Sequence, residues 1–269
     1  MSDNIKISVG DAFKNGKAFI PFITCGDPDL ETTAQLIKTM QESGADLIEL
    51  GIPFSDPTAE GPVIQGANLR SLSGGTTTDK IFEMVAGIRS EVSVPLVFMT
   101  YANVVYSYGV LSGEEPCKAF ARGAAAAGIN GIILADVSFE EKEEFAPAFR
   151  KYGIDFISMI APTSESRIAM IAKEAEGFVY VVSSMGVTGM RSEITTDIGA
   201  MTAQIRKANP DVPCAIGFGI SNPEQAATMA QHADGVIVGS AIVNRIAEHG
   251  TGSAPYIAEY VKSMKDAIR

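Results

Sequence analysis

Apolar residues recur along the chain in two alternating patterns. Short runs rich in β-branched and aromatic residues occupy 18–24, 46–50, 96–100, 131–135, 156–160, 179–183, 214–218 and 235–239. Between them lie amphipathic stretches at 31–43, 78–89, 116–127, 140–152, 165–174, 195–208 and 223–231. There the apolar positions return every third or fourth residue, as in Ala34, Leu36, Ile37 and Met40, which is the spacing of a helix with one buried face. Strand–helix alternation implies parallel strands joined by helical crossovers. Eight such units in about 250 residues predict a closed (β/α)8 TIM barrel rather than an open sheet. The first strand runs into Thr24-Cys25-Gly26-Asp27-Pro28, which lacks the GxGxxG turn of an open dinucleotide-binding sheet. With no linker or low-complexity segment, the expectation is a single domain over residues 1–269. An extra N-terminal helix ahead of Ala18 would cover the barrel bottom, and a helix over 254–268 would close the ring. Two connections are long, 51–77 after the second strand and 184–194 after the sixth. Both are rich in Gly, Pro, Ser and Thr, as expected of lid loops.

Composition narrows the class of function. The net charge of −11 argues against nucleic acid or an anionic membrane surface as partner, since both call for a basic face. No apolar run reaches the length of a membrane span, and Met1-Ser2-Asp3-Asn4 lacks the order of a signal peptide. Cys25, Cys117 and Cys214 are odd in number and widely separated, which suits a reduced cytoplasm without disulfides or a zinc site.

Barrel chemistry collects at the C-terminal ends of the strands and on the loops that follow. Glycine turns follow three late strands: Gly186-Val187-Thr188-Gly189, Gly217-Phe218-Gly219-Ile220-Ser221 and Gly239-Ser240. Glycines let backbone N–H groups approach phosphate oxygens, and a helix N-terminus favours the anion, so a phosphate site is expected there. Schiff-base chemistry would need a lysine at a strand end, and none of the twelve lysines falls at one. The two histidines, His232 and His249, lie at the ends of late helices, and no metal cluster is expected. Carboxylates remain for acid–base work: Glu49 at the end of the second strand, Asp136 after the fourth, and Glu60 on the long second loop. The alternative for Glu49 is a salt-bridged barrel residue, and for Asp136 a loop cap.

Six segments, FIPFITCGDPD, DLIELGIPFSDPTAEGPVIQ, VFMTYAN, GVTG, GFGIS and GVIVGSAIV, resemble in order the motifs of the tryptophan synthase alpha subunit family. The resemblance covers almost the whole chain and implies a (β/α)8 barrel that cleaves indole-3-glycerol phosphate to indole and glyceraldehyde 3-phosphate. It implies a beta-subunit partner in an αββα heterotetramer. That subunit carries the pyridoxal phosphate, receives indole through a tunnel and joins it to serine; no cofactor is expected in this chain. Residue by residue, Glu49 matches the acid–base glutamate of the family. Gly189, Gly219, Gly239 and Ser240 match its phosphate ligands, and Thr188 its lid threonine. Phe22, Tyr101, Tyr180 and Phe218 match the indole pocket, and Pro53, Phe54, Asp56 and Pro57 the loop that meets the beta subunit. Two positions depart from the family pattern: Glu60 replaces its usual aspartate, and Asp136-Val137-Ser138 replaces Asp-Leu-Pro. Alternatives of other kinds are another phosphate-binding barrel lyase or isomerase, and a weakened barrel serving mainly to activate the beta subunit.

Overall fold

The computed structural model describes residues 7–115, 117–182, 197–217 and 219–269. Its strands are β1 (Ala18–Thr24), β2 (Ile48–Gly51), β3 (Leu96–Thr100), β4 (Gly131–Leu134), β5 (Asp155–Phe156), β6 (Ser158–Ile160), β7 (Val179–Val182), β8 (Cys214–Gly217) and β9 (Gly235–Val238). All pair in parallel, in the order β5-β4-β3-β2-β1-β9-β8-β7-β6. β5 and β6 are two pieces of one extended run, split at Ile157, whose N–H donates to the Ile132 carbonyl at 2.9 Å. Because β5 pairs with β4 and β6 with β7, that run joins the two ends of the sheet, which wraps into the expected barrel.

Side chains alternate across each strand and divide the apolar residues into two cores. Ile20, Phe22, Leu47, Val97, Met99, Ile133, Tyr180 and Ala215 fill the interior of the barrel. Phe19, Ile23, Ile48, Leu50, Phe98, Ile132, Val181 and Ile216 face the helices. Burial on both faces explains why these strands read as continuous apolar runs. The 3-10 helix Val9–Phe13 plugs the N-terminal mouth, with Phe13 packed on Phe178 at 5.6 Å between ring centroids. The expected N-terminal helix is thus, among the described residues, one short 3-10 stretch.

Several boundaries differ from the expectation. Asp46 precedes the second strand rather than opening it. Its carboxylate accepts the Phe19 N–H at 2.7 Å and pairs with Lys265 at 2.7 Å, tying the closing helix Ala254–Ala267 to the barrel. The connection 51–77 is not loop throughout: residues 52–61 lead into a helix, Pro62–Ser73, with Pro62 in its first turn. Its buried face consists of Ile64, Ala67, Asn68 and Ser71, too polar to show as an apolar stripe. A further helix, Ala102–Ser112, follows β3, in a stretch to which the sequence reading gave no element. The stretch read as one helix over 140–152 is a 3-10 helix, Phe139–Glu144, then an α-helix, Ala146–Lys151. Pro147 sits in the first turn of the α-helix, where its missing N–H costs least. The sixth connection, 184–194, lies outside the described residues.

Candidate active site

The pleat of β2 sends Ile48 and Leu50 toward the helices and Leu47 and Glu49 into the barrel. Glu49 is 1% exposed, and neither carboxyl oxygen has a hydrogen-bond partner among the described residues. The salt-bridged alternative has no counterpart there. Burial pushes its pKa up to about 8, so at neutral pH the group is mostly a carboxylic acid. An unpartnered acid inside a barrel is costly to the fold and suited to giving a proton to a bound molecule.

Glu60 lies at the end of the 52–61 loop. Its Oε2 accepts from Asn68 Nδ2 at 2.6 Å, and its backbone carbonyl accepts from Gln65 Nε2 at 2.6 Å. Burial raises its pKa, while hydrogen bonds from Asn68 and Tyr101 act the other way. The Tyr101 hydroxyl also accepts the Ala59 N–H at 3.2 Å, so this tyrosine holds the loop from beneath. Tyr101 is 2% exposed and follows β3, on the inward column of Val97 and Met99. Strand β3 runs beside β2 with Glu49 opposite Val97, so Tyr101 stands one column from Glu49 and further toward the C-terminal mouth. Tyr101 also meets the ring of Phe54 at 5.2 Å, which joins the 53–57 segment to the partner of Glu60. In that segment Pro53 is buried, Phe54 and Pro57 are half-buried, and Asp56 is exposed.

Phe22 and Tyr180 complete the described walls. Phe22 lies over the backbone of Gly51, where a Cβ would come within 2.5 Å of its ring, and beside Gly239. The Tyr180 ring occupies the space above Gly217, where a Cβ would meet its hydroxyl at 2.2 Å; only glycine fits there. Burial, then the charge of Glu49, raises the pKa of Tyr180. Neighbouring strands β8 and β9 run with Ile216 opposite Val236. Gly219 and Gly239 each come three residues past that pair, at matching heights on the mouth. Gly219 has φ +86°, a left-handed conformation that glycine adopts freely. Gly239 caps the helix Ser240–His249 without a side-chain hydrogen bond. Its carbonyl takes the N–H groups of Ile242 and Val243 at 2.8 and 3.1 Å. The N–H groups of Ser240 and Ala241, at the head of the helix, have no acceptor within it. The Ser240 side chain is buried beside them.

Gly189, Thr188 and Phe218 fall outside the described residues. Asp136 is exposed, and its carboxylate accepts the Ala102 N–H at 2.9 Å, the loop-capping role. His249 ends the helix that Ser240 begins, at the opposite end from the site, and stacks on Tyr256 at 3.6 Å. Among the described residues no group of three or more His, Cys, Asp or Glu could hold a metal ion. Sequence reasoning missed Asn68, which carries no signal without the helix that points it at Glu60. It also missed Thr24 and Thr100, whose hydroxyls are buried near strand ends with no partner among the described residues.

Known proteins resemble this chain in sequence and fold. A profile of the family described as "Tryptophan synthase alpha chain" matches residues 11–269. The tryptophan synthase alpha chain of Lacticaseibacillus casei is 46% identical over 260 residues, 97% of this chain and 95% of that one. The alpha chain of Lactiplantibacillus plantarum is 48% identical over 257 residues, 95% of this chain and 94% of the relative. Among solved structures, Mycobacterium tuberculosis tryptophan synthase superposes with a TM-score of 0.85 at 34% identity, covering 98% of this chain and 99% of that one. The tryptophan synthase alpha chain from Legionella pneumophila gives 0.84 at 34% identity, covering 97% of each chain. With the family's barrel and an alpha-chain likeness along nearly its whole length, the chain belongs to the tryptophan synthase alpha chain family.

Proposed function

We propose that Glu49, Glu60 and the glycine turns at the barrel mouth carry out, in this chain, the carbon–carbon lyase reaction of its family, the cleavage of indole-3-glycerol phosphate. The observation that carries this reading is the Glu49 carboxyl inside the barrel, without a partner among the described residues and with its pKa near 8. As an acid, Glu49 gives its proton to the ring carbon that bears the glycerol chain. The ring nitrogen then becomes cationic. The carboxylate left behind takes the proton of the adjacent hydroxyl as the carbon–carbon bond breaks. The side-chain carbon that bore this hydroxyl becomes the aldehyde of glyceraldehyde 3-phosphate, and the bonding electrons restore the aromatic ring of indole. Glu60, ionised, accepts the ring N–H and opposes the positive charge as it develops.

The phosphate is held by backbone donors at Gly219 and Gly239 with Ser240, joined by Gly189. Phe22, Tyr101, Tyr180 and Phe218 wall the indole, and Thr188 acts from the lid. The segment bearing Pro53, Phe54, Asp56 and Pro57 docks on a beta subunit in an αββα complex. Its contact with Tyr101 links that surface to Glu60. Pyridoxal phosphate belongs to the beta subunit, and this chain works without a cofactor, as one domain, in the cytoplasm. No helix among the described residues is long and apolar enough to cross a membrane.

The test is indole formation from indole-3-glycerol phosphate by the purified chain, with and without a beta subunit. Glu49→Gln keeps the shape and removes the acid, and its kcat should fall by about 10²–10⁴-fold. Binding of glyceraldehyde 3-phosphate, read by calorimetry, should persist. A variant that retains most of its kcat overturns the assignment.

A further inference from the structure

We propose that Asn68 is the positioning residue for Glu60, acting on the cleavage only through that carboxylate. The inference rests on the catalytic reading of Glu60. Asn68 is 3% exposed, and its Nδ2 reaches Glu60 Oε2 at 2.6 Å. The helix that presents it, Pro62–Ser73, is itself bolted to the exit of β1. Arg70 Nε and Nη2 reach the two carboxylate oxygens of buried Asp27 at 2.7 and 2.8 Å. Ser71 Oγ donates to the Cys25 carbonyl at 2.6 Å. Gln65, on the same helix, holds the backbone carbonyl of Glu60. Residue 60 is therefore gripped at its peptide and at its carboxylate tip by one rigid element.

The chemistry of the amide matters as much as its place. A lysine or arginine at position 68 would also hold the carboxylate, but it would cancel the charge that Glu60 must direct at the ring nitrogen. An amide donates one hydrogen bond, favours the ionised form and adds no charge. Among the described residues, the groups that act on Glu60 are Asn68 and the Tyr101 hydroxyl, both neutral; Asp136 bears on Tyr101. A donor held at a fixed place also sets how long the side chain at 60 must be.

The experiment is a double-mutant cycle on the full chain with its beta subunit, reading kcat and KM for indole formation. Asn68→Ala should lower kcat about 10- to 100-fold, as for a hydrogen bond to a charged group, with a much smaller change in KM. It should also move the acid limb of the kcat/KM profile to higher pH, because a bond favouring the carboxylate is gone. In a Glu60→Gln background the same change should cost less than about twofold. Asn68→Asp is isosteric and removes the donor; it should show the same loss if the alanine variant does not fold. An equal cost of Asn68→Ala in both backgrounds, or full activity in Asn68→Asp, overturns the inference while leaving Glu60 in its role. If Glu60→Gln alone stays within about threefold of the parent, the reading of Glu60 falls and the inference with it.

Discussion

Glu49 spends fold stability to hold a reactive proton. Its pKa is raised from the usual carboxylate range to about 8, so the folded state favours the acid form more strongly than the unfolded chain does. The stability this implies is present in full below the unfolded pKa and is lost as pH rises through the folded value. Glu49→Gln is uncharged throughout and escapes that loss. Its Tm should match the parent's near pH 5 and exceed it at pH 9, by the equivalent of several kcal/mol at about 1.4 kcal/mol per pH unit. Equal Tm differences at the two pH values would mean that the carboxyl is not held neutral. For turnover, kcat/KM should fall on the basic side as the free enzyme loses the proton. Glu60 offers a second test at this scale. Asn68 fixes where the carboxylate tip sits, so Glu60→Asp, one methylene shorter, should lose activity although aspartate is the family's usual residue. A misplacement of that size costs about a hundredfold in a preorganised site. Glu60→Gln should fall too, since an amide cannot oppose a cation. An unimpaired Glu60→Asp would keep the charge assignment but remove the idea that this loop is shaped for glutamate.

At the scale of elements, the site is built where four kinds of segment end together. Strand β2 supplies a rigid carboxyl, the 52–61 loop and its following helix a second one, and the turns after β8 and β9 a cradle of N–H groups. The β8 turn is held from outside. Tyr260, on the closing helix, donates to the Ser221 carbonyl at 2.8 Å, and Gln225 accepts the Ser221 N–H at 2.8 Å. A held turn keeps its donors aimed at one point, which is what backbone recognition of phosphate requires. Replacing Gly219 by valine strains its positive φ; replacing Gly239 brings a side chain toward Phe22. Either variant should raise KM for indole-3-glycerol phosphate at least tenfold, a loss of about 1.4 kcal/mol of binding, with kcat less affected. Steady-state kinetics reads this directly, and an unchanged KM would move the phosphate elsewhere on the mouth.

Across the whole molecule, a net charge of −11 surrounds a site for an anionic substrate. Many of the described lysines and arginines are engaged in ion pairs, such as Arg167 with Glu140 and Arg150 with Glu176. On the reading proposed above, backbone dipoles at the barrel mouth supply the local attraction that the overall field does not. The mouth also carries the 53–57 segment, with exposed Asp56 next to half-buried Phe54, and Phe54 rests on Tyr101. A partner pressing on that segment would press on the residue that holds Glu60. Mixed with a tryptophan synthase beta subunit at micromolar concentration, the chain should co-elute as a larger species and release indole faster. Separate elution, or a rate unchanged by the partner, would count against this surface as the docking face.

The pattern of apolar residues by itself determined the barrel. Strands buried on both faces leave unbroken runs such as Ala18–Thr24, and helices with one wet face leave a period of three to four; both are local and survive in the sequence. The carboxylate of Glu49 was legible for the same reason, as the charge that breaks an apolar run. The glycine turns after the last two strands were legible because Gly217 lies under the Tyr180 ring and Gly219 has a positive φ, two positions that glycine alone suits. Helix Pro62–Ser73 was not legible, because its buried face is Asn68 and Ser71 as much as Ile64 and Ala67, and those side chains are buried by hydrogen bonds rather than by apolar packing. Asp46 was read as the start of a strand because an acidic side chain that takes the Phe19 N–H cannot be told, in sequence, from a strand residue. The protonation of Glu49 and the grip of Asn68 on Glu60 were decided only in the tertiary structure. Each depends on what surrounds a polar group once water is gone, and that environment is assembled from segments far apart in the chain.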